Sequence, residues 1–308
     1  QPIIAIESAR PGTKCWPRGA AGDSITLVNA GMSARRQIPH SDLRSVAPAG
    51  VLMDIDGVLH VSYQPIPGAA EALRTLADRG IPCRFLTNTT TATRASLAAS
   101  LRSIGLPVHD EDVLTAPIAT VRYLQQHYPG ARCYLIAKGD VAEEFAAAGI
   151  ELAPDDDAVE AEVVVIGGAE ERLTYERLNR AFRLMLRGAK LIAMHRNRWW
   201  RTASGLQLDS GPFITALEEA TGARAITIGK PSLPFFRAGR RMLGLPYAQI
   251  VMVGDDAAND LQPARKLGMR TVLVRTGKPV HEKDTQIADI TLDSVAMLPE
   301  ALATLMNR

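Results

Sequence analysis

Short apolar runs that stop abruptly at polar, chemistry-bearing residues recur through this chain, and each is followed by a stretch with helical apolar spacing. Val51-Leu52-Met53 runs into Asp54-Ile55-Asp56-Gly57, Cys83 to Leu86 runs into Thr87-Asn88, and Ile250 to Val253 runs into Gly254-Asp255-Asp256. A short continuous apolar run of this kind reads as a strand buried on both faces. Ala69 to Arg79 carries Ala70, Leu73, Leu76 and Ala77 at helical spacing, with Gly80 where a C-cap glycine would stand, and Thr91 to Ile104 repeats the period with Leu97, Leu101 and Ile104. Strand followed by helix, repeated, predicts an α/β fold on a Rossmann-like parallel sheet with helices on its faces.

The alternation continues through a helix to His127, a strand at 133–136, a helix at 141–148, a strand at 163–166, a helix at 175–186, a strand at 190–194 and a helix at 213–220. That is a complete small α/β domain. Beyond it come a strand at 225–228, a helix at 234–243, a strand at 250–253, a helix at 261–267, strands at 271–274 and 287–291, and a terminal helix from Pro299. The expected organisation is a core of residues 49–116 and 227–308, interrupted by an inserted α/β cap at 117–226. Residues 1–48, with Pro2, Pro11, Pro17, Pro39 and Pro48, read as irregular and partly vector-derived, because position 1 is Gln and Met32 opens a plausible natural start.

Bulk composition narrows the function classes. Lys and Arg number 35 against 33 Asp and Glu, a net charge of +2, so nothing in the balance asks for nucleic acid. Cys15, Cys83 and Cys133 are odd in number, far apart and without His or Cys at ligand spacing, which argues for reduced thiols in the cytoplasm and against zinc. No apolar run reaches the roughly 18 residues of a membrane helix.

Four loops at predicted strand ends carry groups suited to phosphoryl chemistry, and in open α/β sheets that edge is where ligands bind. Asp54 and Asp56, two apart, share one side of an extended chain, so one carboxylate can attack phosphorus while the other handles a proton; an ordinary Asp-Gly turn is the alternative. Thr87 and Asn88 offer a hydroxyl and backbone N–H groups to phosphate oxygens, or, with Thr89, Thr90 and Thr91, a helix-capping cluster. Lys230, in Gly229-Lys230-Pro231, is a surface cation or the ammonium that offsets phosphate charge. Asp255, Asp256 and Asp260 crowd directly after an apolar strand, which calls for a cation or a solvated acidic cap. Mg²⁺ takes oxygen ligands, and Asp54, Asp255 and the backbone carbonyl of Asp56 would form a half-cage for it.

Together, Asp54-Ile55-Asp56-Gly57-Val58-Leu59, Leu86-Thr87-Asn88, Gly229-Lys230-Pro231 and Gly254-Asp255-Asp256 with Asp260 resemble the four ordered motifs of the haloacid dehalogenase superfamily. The insertion of about 110 residues between the second and third motifs is similar to the large cap of the type IIA (NagD-like) branch. Leu184 to Met194, His195 to Trp200 and Gly211-Pro212-Phe213 with Ala216-Leu217-Glu218 resemble the group containing haloacid dehalogenase-like hydrolase domain-containing proteins and phospholysine phosphohistidine inorganic pyrophosphate phosphatases. Some relatives carry serine at the second aspartate; Asp56 is present here, which favours a fully equipped phosphatase.

The resemblance implies an Mg²⁺-dependent phosphatase acting on a small phosphorylated metabolite. Asp54 would form an aspartyl-phosphate and Asp56 would serve as general acid and base. Thr87, the Asn88 backbone and Lys230 would hold the phosphoryl group, Asp54, Asp56 and Asp255 the metal, and Asp256 and Asp260 would orient that shell and Lys230. Specificity would fall to the cap, where His195, Arg196, Asn197 and Trp199 form a basic, aromatic segment that either faces substrate or packs into the cap. A phosphomutase or phosphonatase on the same fold, or a non-catalytic phosphate- or metal-binding regulator, are the alternatives. A homodimer through the cap is compatible with the phosphatase reading; no nucleic-acid or membrane partner is expected.

Overall fold

The structure, a computed structural model, describes residues 47–202 and 205–306, all within one unit, Ile38–Arg308. The other unit, Gln1–Gln37, with the natural-start reading at Met32, lies outside the described residues. The chain runs β1 (Gly50–Asp54), β2 (His60–Val61), β3 (Gln64–Pro65), α1 (Ala69–Asp78), β4 (Cys83–Thr87), α2 (Arg94–Ser103), β5 (Val113–Thr115) and α3 (Ala116–His127). It continues as β6 (Cys133–Ile136), α4 (Val141–Ala147), β7 (Val163–Ile166), α5 (Tyr175–Leu186), β8 (Lys190–Ala193), β9 (Trp199–Thr202), β10 (Gly205–Leu208), α6 (Ser210–Thr221) and β11 (Ile226–Thr227). It ends with α7 (Leu233–Leu243), β12 (Ile250–Gly254), α8 (Gln262–Lys266), β13 (Arg270–Val274), α9 (Glu282–Thr285), β14 (Ile290–Leu292) and α10 (Leu298–Met306).

The expected α/β architecture is the observed one, on two parallel sheets. The larger has the order β14-β13-β12-β1-β4-β5, with every adjacent pair parallel. The chain leaves β1 toward β4 and β5 but leaves β12 toward β13 and β14. The strand order therefore reverses between β1 and β12, and the crevice beyond their carboxyl ends is the place such sheets bind ligands. The smaller sheet, β11-β8-β7-β6, is also parallel throughout.

Side-chain alternation explains why both sheets are covered on two sides. Val51, Met53, Phe85, Val251 and Val253 point to one face and pack with Leu73, Leu97, Leu101 and Leu298, from α1, α2 and α10. Leu52, Leu86, Leu114, Ile250 and Met252 point to the other, against Phe235 and Phe236 of α7. In the smaller sheet Tyr134, Ile136, Val164 and Ile166 meet Ala181, Leu184, Ile214 and Leu217 of α5 and α6, while Cys133, Val163 and Val165 join the same apolar cluster as Leu52 and Leu86. Leu52 and Leu86 are fully buried, about 2 kcal/mol of apolar transfer each.

Several elements depart from the sequence reading. β5 was not expected, because three apolar residues behind the acidic run Asp110-Glu111-Asp112 make too short a signal. Ile226 and Thr227 pair with Ile192 and Ala193, so this strand closes the smaller sheet rather than opening the returning core segment. The strand expected at 287–291 is Ile290–Leu292, because the Asp289 carboxylate accepts the Thr271 N–H and hydroxyl and holds the preceding chain without a ladder. The helix expected from Leu261 begins with a π turn at Ala257–Leu261. The basic, aromatic segment after β8 runs into β9, which pairs antiparallel with β10.

Candidate active site

The order reversal sets the first and fourth motifs side by side. Asp54 is the last residue of β1, Asp255 follows β12, and Met53 pairs with Val253 in register. The π turn after β12 carries Asp260 back toward the strand end, where it is fully buried. One oxygen from each of Asp54, Asp255 and Asp260 lies within 4.8 Å of the other two. Lys230, only 4% exposed, places Nζ 2.7 Å from Asp54 Oδ1 and 2.8 Å from Asp260 Oδ1. Its loop is held by Asn88, whose Oδ1 accepts the Lys230 N–H at 2.8 Å and whose Nδ2 donates to the Lys230 carbonyl at 3.0 Å.

Three buried carboxylates and one ammonium leave negative charge in excess, and the titration shifts follow. Burial, reinforced by the Asp54 charge, pushes Asp255 up to about 6 although the Lys278 N–H donates to its Oδ2. Burial raises Asp260 well above the carboxylate range, against the opposing pull of Lys230. For Lys230 itself burial works toward a lower pKa, but Asp260 and Asp54 outweigh it and the ammonium is held above its usual value. Asp56 stands at the rim with a side chain 62% exposed, yet partial desolvation and the Asp54 charge raise its pKa, against His60 and Lys230.

Glycines keep the backbone clear of this cluster. A Cβ on Gly57, whose φ is +80°, would lie 2.4 Å from Asp255 Oδ2, and one on Gly277 would lie 2.0 Å from the same atom. Hard oxygen donors, unbalanced negative charge and a cradle that only glycine leaves open fit a hard divalent cation such as Mg²⁺. Asp54 and Asp255 from the expected ligand set converge there; Asp260, expected only to orient, joins the same cluster. Asp256 instead accepts the Ala258 and Asn259 N–H groups and pairs with Lys278.

The second motif differs from its capping alternative. α2 starts at Arg94 and is capped by Thr93, so residues 87–91 stand free of the helix. Thr87 Oγ1 accepts the Thr89 N–H at 3.0 Å, and the Thr89 hydroxyl points to Asp56 Oδ2 at 3.4 Å. Thr89, His60, Lys278 and Gly277 escaped sequence reading as site residues. Only the polar run Arg275-Thr276-Gly277-Lys278 directly after β13 gave a signal for the last two.

The cap segment is not one continuous basic face. His195 is buried, with Nε2 3.3 Å from Thr90 Oγ1 and Nδ1 accepting the Asn197 N–H at 3.2 Å. Arg196 forms a two-pronged pair with Glu218 at 2.8 and 2.7 Å, so its guanidinium braces α6 instead of presenting a free cation. Trp199 lies in the β9–β10 hairpin and is half exposed.

Comparison with known proteins places these features in a family. The family model described as haloacid dehalogenase-like hydrolase matches residues 51–151, and a second, HAD-hydrolase-like, matches residues 227–298. The chain is 37% identical over 228 residues to haloacid dehalogenase-like hydrolase domain-containing protein 2 of Rattus norvegicus, covering 74% of this chain and 84% of that protein. It is 35% identical over 264 residues to phospholysine phosphohistidine inorganic pyrophosphate phosphatase of Danio rerio, covering 83% of this chain and 94% of that one. Among solved structures, p-nitrophenyl phosphatase from Archaeoglobus fulgidus superposes with a TM-score of 0.76 at 31% identity, over 83% of this chain and all of that one.

Proposed function

We propose, for a chain that belongs to the haloacid dehalogenase-like hydrolases and within them to the NagD-like type IIA phosphatases, a divalent-cation-dependent hydrolysis of small phosphorylated molecules by way of an aspartyl-phosphate. The observation that carries this reading is the Lys230 ammonium shared by Asp54 and Asp260, next to a third carboxylate within 4.8 Å. Residues 49–116 and 227–308 hold the chemistry and 117–226 cover it. Asp54, Asp255 and the Asp56 carbonyl would hold Mg²⁺, with Asp260 beside them, and the ion supplies Lewis-acid neutralisation of phosphate charge.

Asp54 attacks phosphorus in line while Asp56 gives a proton to the departing group. Asp56 then takes a proton from the water that cleaves the acyl phosphate. Lys230 keeps the anionic nucleophile and the anionic substrate from repelling each other. The Thr87 hydroxyl and the Asn88 N–H contact the phosphoryl oxygens, and Asn88's side chain fixes the loop from which Lys230 reaches in.

The named activities of the relatives suggest the substrate panel: p-nitrophenyl phosphate, inorganic pyrophosphate, phospholysine and phosphohistidine. A cytoplasmic setting agrees with the free thiols of Cys83 and Cys133, and no helix among the described residues is long and apolar enough to cross a membrane. The exposed hairpin side chains Trp199, Trp200, Leu206 and Leu208 would serve a homodimer through the cap. Phosphate release from p-nitrophenyl phosphate with Mg²⁺ tests the reading. It should stop with EDTA and fall at least ~10³-fold in Asp54→Asn, whereas full activity in that variant would exclude a nucleophilic Asp54.

A further inference from the structure

The hairpin β2–β3 directly follows the first motif, and its tip is strained in a way the catalytic reading leaves unused. His60 and Val61 pair with Pro65 and Gln64 across a two-residue turn. Both turn residues, Ser62 at φ +49° and Tyr63 at φ +59°, are non-glycine residues in the left-handed region. Two such residues match the primed hairpin turn, but at non-glycine positions they cost on the order of 1 kcal/mol each and persist only where surrounding contacts require them.

The contacts converge on His60. The ring is 3% exposed and stacks on the Tyr63 ring, 5.2 Å between centroids and 9° from parallel. The Tyr63 N–H donates to His60 Nδ1 at 3.3 Å, which the left-handed turn makes geometrically available. With Nδ1 accepting, the neutral ring carries its proton on Nε2, and that atom faces Asp56 Oδ1 at 3.5 Å. Among the described residues Nε2 is buried without a hydrogen-bond partner, and the Asp56 carboxylate is the acidic group it faces. The backbone repeats the link, since the Gly57 N–H donates to the His60 carbonyl at 2.8 Å. Asp56 is thus approached at both oxygens, by His60 Nε2 at 3.5 Å from Oδ1 and by the Thr89 hydroxyl, which donates to Oδ2 at 3.4 Å.

We propose that His60 is a positioning residue for Asp56, its Nε2–H holding the carboxyl in the orientation from which the proton reaches the leaving group. This rests on the phosphatase reading above. In the first half-reaction an Asp54 oxygen bonds to phosphorus as the bond from phosphorus to the leaving oxygen breaks; that oxygen takes the electron pair and the Asp56 proton. In the second, water gives its oxygen to phosphorus and a proton to Asp56, and the Asp54 carboxylate departs. A positioned acid matters most when the leaving group is a poor one, so the role has a signature in leaving-group dependence.

The test compares kcat/KM for p-nitrophenyl phosphate, whose leaving group departs with little protonation, and glycerol 2-phosphate, an alkyl ester that needs it. His60→Phe keeps the buried, stacked ring and removes the N–H donor. It should lower kcat/KM for the alkyl ester about 30-fold and for the aryl ester less than about 3-fold. His60→Gln, which keeps an N–H near the position of Nε2, should restore most of the wild-type ratio between the two esters. Tyr63→Ala, at an exposed position, should shift the ratio in the same direction as His60→Phe even if the latter folds poorly. Equal losses on both esters, or an unchanged ratio in His60→Phe and Tyr63→Ala, would overturn the proposal. Inactivity of the wild-type protein, or full activity of Asp54→Asn, would instead remove the reading beneath it.

Discussion

Gly277 lies outside the four motifs, and replacing it with alanine perturbs one side chain of the cluster. Its φ is outside the left-handed region, so alanine is acceptable to the backbone. The new Cβ would stand 2.0 Å from Asp255 Oδ2, 2.6 Å from Cγ and 2.8 Å from Cβ. Ordinary contact begins near 3.4 Å, so the carboxyl must retreat by more than 1 Å and give up the Lys278 N–H that it accepts at 2.9 Å. A displacement of that size at a reacting site costs about 10²-fold in rate, and loss of one buried hydrogen bond costs about 1 kcal/mol of stability. Gly277→Ala should therefore lower kcat/KM for p-nitrophenyl phosphate about 100-fold, raise the Mg²⁺ concentration for half-maximal activity at least about 10-fold, and lower Tm by only about 3 °C. Gly130→Ala is the control for backbone strain alone: φ is +75°, and nothing lies within 4 Å of the added carbon. It should cost about 1 kcal/mol of stability and leave turnover intact. If Gly277→Ala keeps wild-type turnover and wild-type Mg²⁺ dependence, the position of the Asp255 carboxylate is not what the site depends on.

Other perturbations test separate links. Lys230→Gln removes the ammonium shared by Asp54 and Asp260 and should reduce kcat about 10²- to 10³-fold in steady-state assays, with circular dichroism unchanged. Arg196 holds Glu218 at about 2, below its ordinary value, so protons bind the unfolded chain more readily. The pair's stabilisation is complete above about pH 4.5 and lost as pH falls from there toward 2. Because Arg196 is one-third exposed, the contribution is about 1–3 kcal/mol; Glu218→Gln should lose that much in urea unfolding at pH 7 and progressively less at pH 3.5. The Asp140 carboxylate accepts the Thr93 N–H at 2.7 Å and meets the Ser96 hydroxyl, so it supports the first turn of α2 from another segment of the chain. Asp140→Ala should cost about 1–2 kcal/mol and speed hydrogen exchange at the Thr93 amide; unchanged exchange would remove that role.

Much of the site was readable because its chemistry sits where strands end. Asp54, Thr87 and Asp255 each terminate or follow an apolar run, and a parallel sheet must align those ends. What stayed hidden depends on approach through space. Asp260 reads as one more acid of a helix cap until the π turn swings it under Lys230. Gly277 reads as a turn residue until its neighbour is seen to be a carboxylate more than twenty positions away. His60 gave no pattern at all, since its partner is decided by a two-residue turn whose left-handed conformation neither Ser62 nor Tyr63 announces. The cap segment left two readings open for a related reason: Glu218, which pairs with Arg196, lies on a different element.

In the proposed mechanism Asp54 carries the phosphoryl group between two chemical steps. Acid quenching during steady-state hydrolysis of p-nitrophenyl phosphate, followed by peptide mass spectrometry, reads that directly. One phosphoryl mass is expected on the peptide containing Asp54 and none in Asp54→Asn. Phosphate recovered on a different residue, with Asp54 unmodified throughout turnover, would contradict it.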